Sequence, residues 1–261
     1  MTPVRLTLLL LCLLAGRVQA QQPFQIWYAY NHTGLLSNKW GYAFDLNHRT
    51  REVLPAEAAL SAIRVGASYK LASNLRVTAG YAWFGTYVPD IDRIWVHENR
   101  LYQQAQWTFR PKGLVLAHRV RVEERWRELL VNANQPFDPI KRDVFNFRAR
   151  YMIQLTGPLT ARDSTGSAFL SWQAANEILF QTTEYRGLFD QNRTLAGLVW
   201  RLSPALDLAT LYQFIVQRRP EFESTQYVHS VRLTLFHSLD FRKQIKLDKV
   251  VEEQPYEPPT Q

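Results

Sequence analysis

The stretch KWGYAFDLNHR, residues 39–49, decides the fold class. Its even positions are Trp40, Tyr42, Phe44, Leu46 and His48, and its odd positions are Lys39, Gly41, Ala43, Asp45, Asn47 and Arg49. In an extended chain successive side chains point to opposite faces, so these two sets separate completely. One face suits hydrocarbon and the other suits water.

The same period recurs along the chain. Ile63, Val65, Ala67, Tyr69 and Leu71 oppose Arg64, Gly66, Ser68 and Lys70; Phe145, Phe147, Ala149, Tyr151 and Ile153 oppose Asn146, Arg148 and Arg150. Strands are predicted at 24–33, 38–49, 60–71, 74–86, 94–109, 114–127, 143–156, 167–181, 190–202, 206–217 and 227–241. They run longer than soluble strands usually do and exceed the roughly 9–11 residues that cross a tilted bilayer. Short turns at 72–74, 110–113 and 203–205 alternate with longer polar connections at 50–59, 87–93, 128–142, 182–189 and 218–226. The connection at 157–166 is long for its side. Together these features predict an all-β, antiparallel, up-and-down transmembrane barrel. A soluble β-sandwich is the rival, but it would not readily hold arginines on one face of nearly every strand.

The eleven segments conflict with the even strand number of bacterial single-chain barrels. Ten or twelve strands are therefore expected: either 24–33 stays out of the barrel, or a strand hides in 128–142.

The domain reading has three parts. Residues 1–20 read as a signal peptide, with Arg5 before an apolar run from Leu6 to Ala15 and Val18-Gln19-Ala20 as a small-residue cleavage site. Cleavage is expected after Ala20. The only cysteine, Cys12, lies inside this leader behind Leu10 and Leu11, which is not a lipidation context. Residues 21–241 form the predicted barrel. Residues 242–261, rich in Glu and Pro, read as a disordered periplasmic tail. Removing Arg5 and Arg17 with the leader lowers the formal net charge from +8 to +6. Export argues against nucleic acid as the partner of that charge. The expected location is a Gram-negative outer membrane, with its lipids and lipopolysaccharide as surroundings and the barrel-assembly machinery as partner during biogenesis. Eight tryptophans and 13% aromatic residues suit interfacial girdles, and would also suit a soluble core.

The polar face carries the candidate site. Glu98, Arg100 and Gln104 lie on one strand, and Arg119, Arg121, Glu123 and Arg125 on the next. Arg148, Arg150, Glu177, Gln191, Arg193 and Arg232 follow. Arginine keeps its charge, and at the bilayer midplane on the lipid side each would cost about 2–4 kcal/mol. This face must point inward. There the groups form either an ionic core that fixes register or the lining of a small, anion-preferring pore. An enzyme acting on lipid or lipopolysaccharide and a binder using loops 128–142 and 218–226, with Phe137 and Phe222, are the alternatives. No catalytic residue is assigned. The sequence has no G-x-S-x-G elbow, no paired-histidine metal spacing and no nucleotide fingerprint, so no metal or cofactor is expected. His118, His229 and His237 fall on the lipid-facing set, and His97 falls near an outer rim.

Four motifs follow in order: ENRLYQQ (98–104), HRVRVEERW (118–126), NEILF (176–180) and FDQNR (189–193). From Trp27 to Phe241 the chain resembles the outer-membrane barrels grouped as domain of unknown function 2490. The resemblance implies a barrel and a location. It carries over no catalytic residue, and it draws attention to Glu98, Arg100, Arg121, Glu123, Arg125, Glu177, Gln191 and Arg193.

Overall fold

The computed structural model describes residues 24–50, 58–88, 94–131, 140–164, 166–182, 188–219 and 224–242. Eleven strands account for nearly all of them: β1 (Phe24–Leu35), β2 (Trp40–Thr50), β3 (Ala58–Lys70), β4 (Leu75–Val88), β5 (Ile94–Phe109), β6 (Val115–Val131), β7 (Ile140–Pro158), β8 (Leu170–Gln181), β9 (Phe189–Ser203), β10 (Leu206–Arg219) and β11 (Ser224–Asp240). Each pairs with its neighbours in sequence, and β1 pairs with β11 to close the barrel. Closure leaves no exposed sheet edge, which hydrocarbon would not tolerate.

The expected even strand count is corrected here. Residues 24–33 do join the wall, no twelfth strand is needed, and an odd number forces one parallel seam. That seam is β1 against β11, in register from Phe24 opposite His229 to Leu35 opposite Asp240; the other ten pairs are antiparallel. The connection expected to hide a strand shrinks instead, because β6 and β7 stay paired up to Val131 opposite Ile140. Residues 132–139 between them, which include Phe137, lie outside the described residues, as do Phe222, the predicted leader and nearly all of the predicted tail. The odd count also places the two ends of the wall at opposite rims. The chain enters β1 at the rim of the long connections and leaves β11 at the rim of the short turns.

The alternation sorts the faces as the sequence requires. Val120, Val122, Trp126, Phe147, Tyr151 and Ile153 are exposed on the outside. Arg121, Glu123, Arg125, Arg148 and Arg150 between them are buried. Aromatic rings gather in two outer bands. Near the short turns Trp40 packs edge-on to Tyr69, and His118 stacks on Trp107. Near the long connections Trp126, Phe145 and Phe147 form a chain of contacts, and Phe214 stacks on Tyr227. These are the girdles expected at the two interfaces of a membrane barrel. His118, His229 and His237 lie in the outer set, bonded to Tyr151, Tyr212 and Tyr30 respectively. Glu124 also falls in the outer set, opposite Leu101 and Phe147, and nothing in the structure explains an acid there.

The long connection after β7 has a local reason. Arg162 bridges to Ala168 in this connection and donates to the Gly166 carbonyl at 3.1 Å and also to that of Gly113 in the turn between β5 and β6. It ties this connection to the β5–β6 turn.

Two measurements test this wall. Cysteines at Ala29 and Thr234, which face each other across the parallel seam, are expected to cross-link, because adjacent strands hold partners within disulfide reach. The product would run as a closed loop on non-reducing gels; free thiols would mean that β1 lies elsewhere. Val122→Arg, at mid-strand on the outside, is expected to cost about 2–4 kcal/mol in denaturant titrations of the vesicle-inserted protein.

Candidate functional site in the barrel lumen

The side chains of β5 to β9 build a connected charge network inside the wall. Glu98 accepts from Arg100 at 2.6 and 3.1 Å and from Arg125 at 2.5 and 3.1 Å. Two forked guanidinium groups thus grip one carboxylate. Glu123, 2% exposed, accepts from Arg100 at 3.2 Å and Arg150 at 2.8 Å, and Arg121 stands 3.6 Å away. Glu177 takes Arg150 at 2.8 Å, Arg119 at 2.7 Å and Arg193 at 3.4 Å. Each of these acids serves at least two arginines from different strands, so the network stitches neighbouring strands at fixed register.

Glutamines fill gaps where carboxylates run out. Gln104 accepts from Arg121 at 2.6 and 3.0 Å, and Gln191 accepts from Arg193 at 2.5 and 2.9 Å. Gln181 joins Arg125 at 2.8 Å and Arg148 at 3.1 Å. Aromatic faces take the remaining load: Arg100 lies 3.6 Å over the Phe84 ring, and Arg121 5.0 Å over Tyr102. Tyr102 reaches this place because Gly66 and Gly80 leave it room. A Cβ on Gly66 would stand 2.5 Å from the tyrosine hydroxyl oxygen, and one on Gly80 2.8 Å from its ring.

All thirteen residues singled out from sequence face the lumen. Glu98, Arg100, Gln104, Arg119, Arg121, Glu123, Arg125, Arg148, Arg150, Glu177, Gln191 and Arg193 belong to the network of β5–β9. Arg232 stands apart on β11, where its Nε donates to the Thr234 hydroxyl at 3.2 Å.

The sequence list omitted several members. Arg127 and Gln181 are the last residues of the expected strands 114–127 and 167–181 and simply continue their alternation. Arg49 and the pair Arg64–Asp45, at 2.6 Å, were on the polar set but not among the candidates. Asp190 lies in the FDQNR motif, but strict alternation sets it on the face opposite Gln191 and Arg193. The ladder between β8 and β9 shifts register at Leu179 and Phe180, so both Asp190 and Gln191 are buried in succession. Such a bulge breaks the strict alternation, and it delivers Asp190 Oδ2 to within 2.9 Å of Arg148.

At the centre remains a cavity of about 350 Å³. Its wall holds Arg49, Arg64, Arg100, Arg119, Arg125, Arg127, Arg148, Arg150, Arg193 and Arg232, against the carboxylates of Glu98 and Glu177. Trp27, Phe84, Leu195, Leu211 and Phe236 supply apolar wall between them. The space is strongly positive, and low-dielectric walls focus such a field.

A family model described as "Protein of unknown function (DUF2490)" matches residues 24–226. The chain belongs to this family. The match takes in all four motifs and ten of the strands. Among solved structures, the NanC porin aligns at a TM-score of 0.47 and 12% identity, over 82% of this chain and 98% of that one. The β domain of the Bordetella autotransporter Brka aligns at 0.46 and 11%, over 78% and 85%. Comparison with curated proteins gives no match.

Removing one acid tests the network. Glu177→Ala strands three arginines in a buried setting and is expected to lower stability by about 3–5 kcal/mol, the usual scale for breaking a buried ion pair from one side. Urea titration in vesicles would read it. A change well under 1 kcal/mol would mean that water already screens these charges.

Proposed function

We propose that this DUF2490 protein is an outer-membrane barrel that serves as a narrow, anion-preferring conduit. One observation carries the reading: ten arginines line the central cavity, and among the described residues five acids, Asp45, Glu98, Glu123, Glu177 and Asp190, pair with them. An ionic core that served stability alone would be expected to balance its charges, since each uncompensated buried cation is costly. Here the surplus is large and it faces open space. Rings of fixed positive charge draw anions in and repel cations.

The exposed apolar wall and its two aromatic bands support membrane residence. The predicted leader, with cleavage after Ala20, supports export to an outer membrane, where the short turns would lie in the periplasm and the long connections outside. Outer-membrane lipids would then be its surroundings, and the barrel-assembly machinery its partner during insertion. The narrow lumen, crossed by buried Arg–Glu bridges, suits small solutes and low conductance.

Planar-bilayer recording of the purified protein across a KCl gradient tests this. Currents whose reversal potential lies on the chloride side are expected. Cation preference, or silence at every voltage, would overturn the proposal.

A further inference from the structure

The parallel seam differs from the rest of the lumen in one respect. Trp27 on β1 stands in register between Arg49 on β2 and Arg232 on β11. The two arginines start two strand spacings apart, about 10 Å at the backbone. Neither has a carboxylate within 4.0 Å among the described residues. Arg49 lies 3.5 Å over the Trp27 ring, and among the described residues its Nε has no hydrogen-bond acceptor. Among the described residues Arg232 has the Thr234 hydroxyl alone. Close by on β10, Gln213 is 1% exposed and lines the same cavity, and among the described residues neither its amide nitrogen nor its amide oxygen has a partner.

Buried polar atoms are nearly always satisfied, and an unsatisfied one is costly. Three polar side chains facing one space, with donors to spare, form an incomplete site. What the two guanidinium groups and the Gln213 amide nitrogen lack is an acceptor. On β5–β9 comparable arginines have Glu98, Glu123 and Glu177; at the seam no acid takes that place.

We propose that Arg49, Arg232 and Gln213 form a binding site for a small oxyanion, a phosphate or carboxylate group, inside the lumen. Its oxygens would accept from Arg49 and Arg232, charged on both sides, and from the Gln213 amide N–H, where the acceptor alone carries charge. The indole of Trp27 holds Arg49 in place for this contact. A cavity of about 350 Å³ is large enough for such a group with some of its water. The site deepens the conduit reading, since a selective pore needs a place where the solute pauses on its way.

Titration calorimetry of the full-length protein in detergent micelles at low ionic strength, with inorganic phosphate and with acetate as separate probes, tests the site without needing a current. Saturable binding at one site is expected with at least one probe, and preference between them separates phosphate from carboxylate recognition. Arg49→Gln and Arg232→Gln are each expected to weaken it at least tenfold, and Gln213→Leu several-fold. Neither arginine substitution strands an acid, so the barrel should still fold, which heat-modifiable gel mobility confirms. Should either arginine variant fail to fold, Arg49→Lys serves in its place: it keeps the charge, loses the fork, and is expected to bind more weakly. Arg76→Gln, a lumen arginine outside the cavity bonded to Ser68, is expected to bind as the unaltered protein does. No saturable binding, or equal weakening by Arg76→Gln, would overturn the site. Binding that survives in a protein without anion currents would instead refute the conduit and leave the site standing.

Discussion

A guanidinium group keeps its proton, and a strand one residue thick offers it only two directions. In a membrane one of those directions is hydrocarbon. The arginines of β6, at 119, 121, 125 and 127, therefore fix which face of that strand is inside, and hydrogen bonding carries the choice to every other strand. The outer positions Val120, Val122 and Trp126 then meet lipid without further instruction.

Confining so much positive charge creates a second demand. Like charges inside a narrow tube repel, so acids must be shared. Glu98, Glu123 and Glu177 each bridge arginines from more than one strand. The register of β5 to β9 is thereby held by polar contacts in the middle as well as by the ladders. Where an acid was missing, glutamine amides, aromatic faces and a bulge carrying Asp190 stand in. The compensation stops at the seam. There β1 and β11 give no acid to the cavity, and Arg49 and Arg232 keep unused donors. The cavity's polarity follows from this unequal distribution.

The odd strand number is tied to the same region. A parallel closure lets β1 bring Trp27 between the two seam arginines, and its ring accepts what a carboxylate would otherwise have taken. A ten-strand barrel without β1 would set Arg49 and Arg232 on adjacent strands with nothing between them. The seam is thus a topological exception and also the place where the lumen is chemically least complete.

Much of this was legible in the residues. Period-two alternation depends only on local backbone geometry, so the strands, their two faces and the inward direction of all thirteen candidate residues could be read from sequence. Strand count could not, because parity depends on which first and last strands meet, a contact about 200 residues apart. The inward turn of Asp190 was invisible because a bulge is set by the pairing of β8 with β9 and leaves no mark on either strand alone. Arg49 looked like any other polar-face residue. The sequence by itself determined a lipid-facing wall around an arginine-rich interior, since side-chain chemistry and alternation are local properties. Only the tertiary structure decided which arginines found an acid and which did not, since that depends on the neighbours that closure brings across the seam.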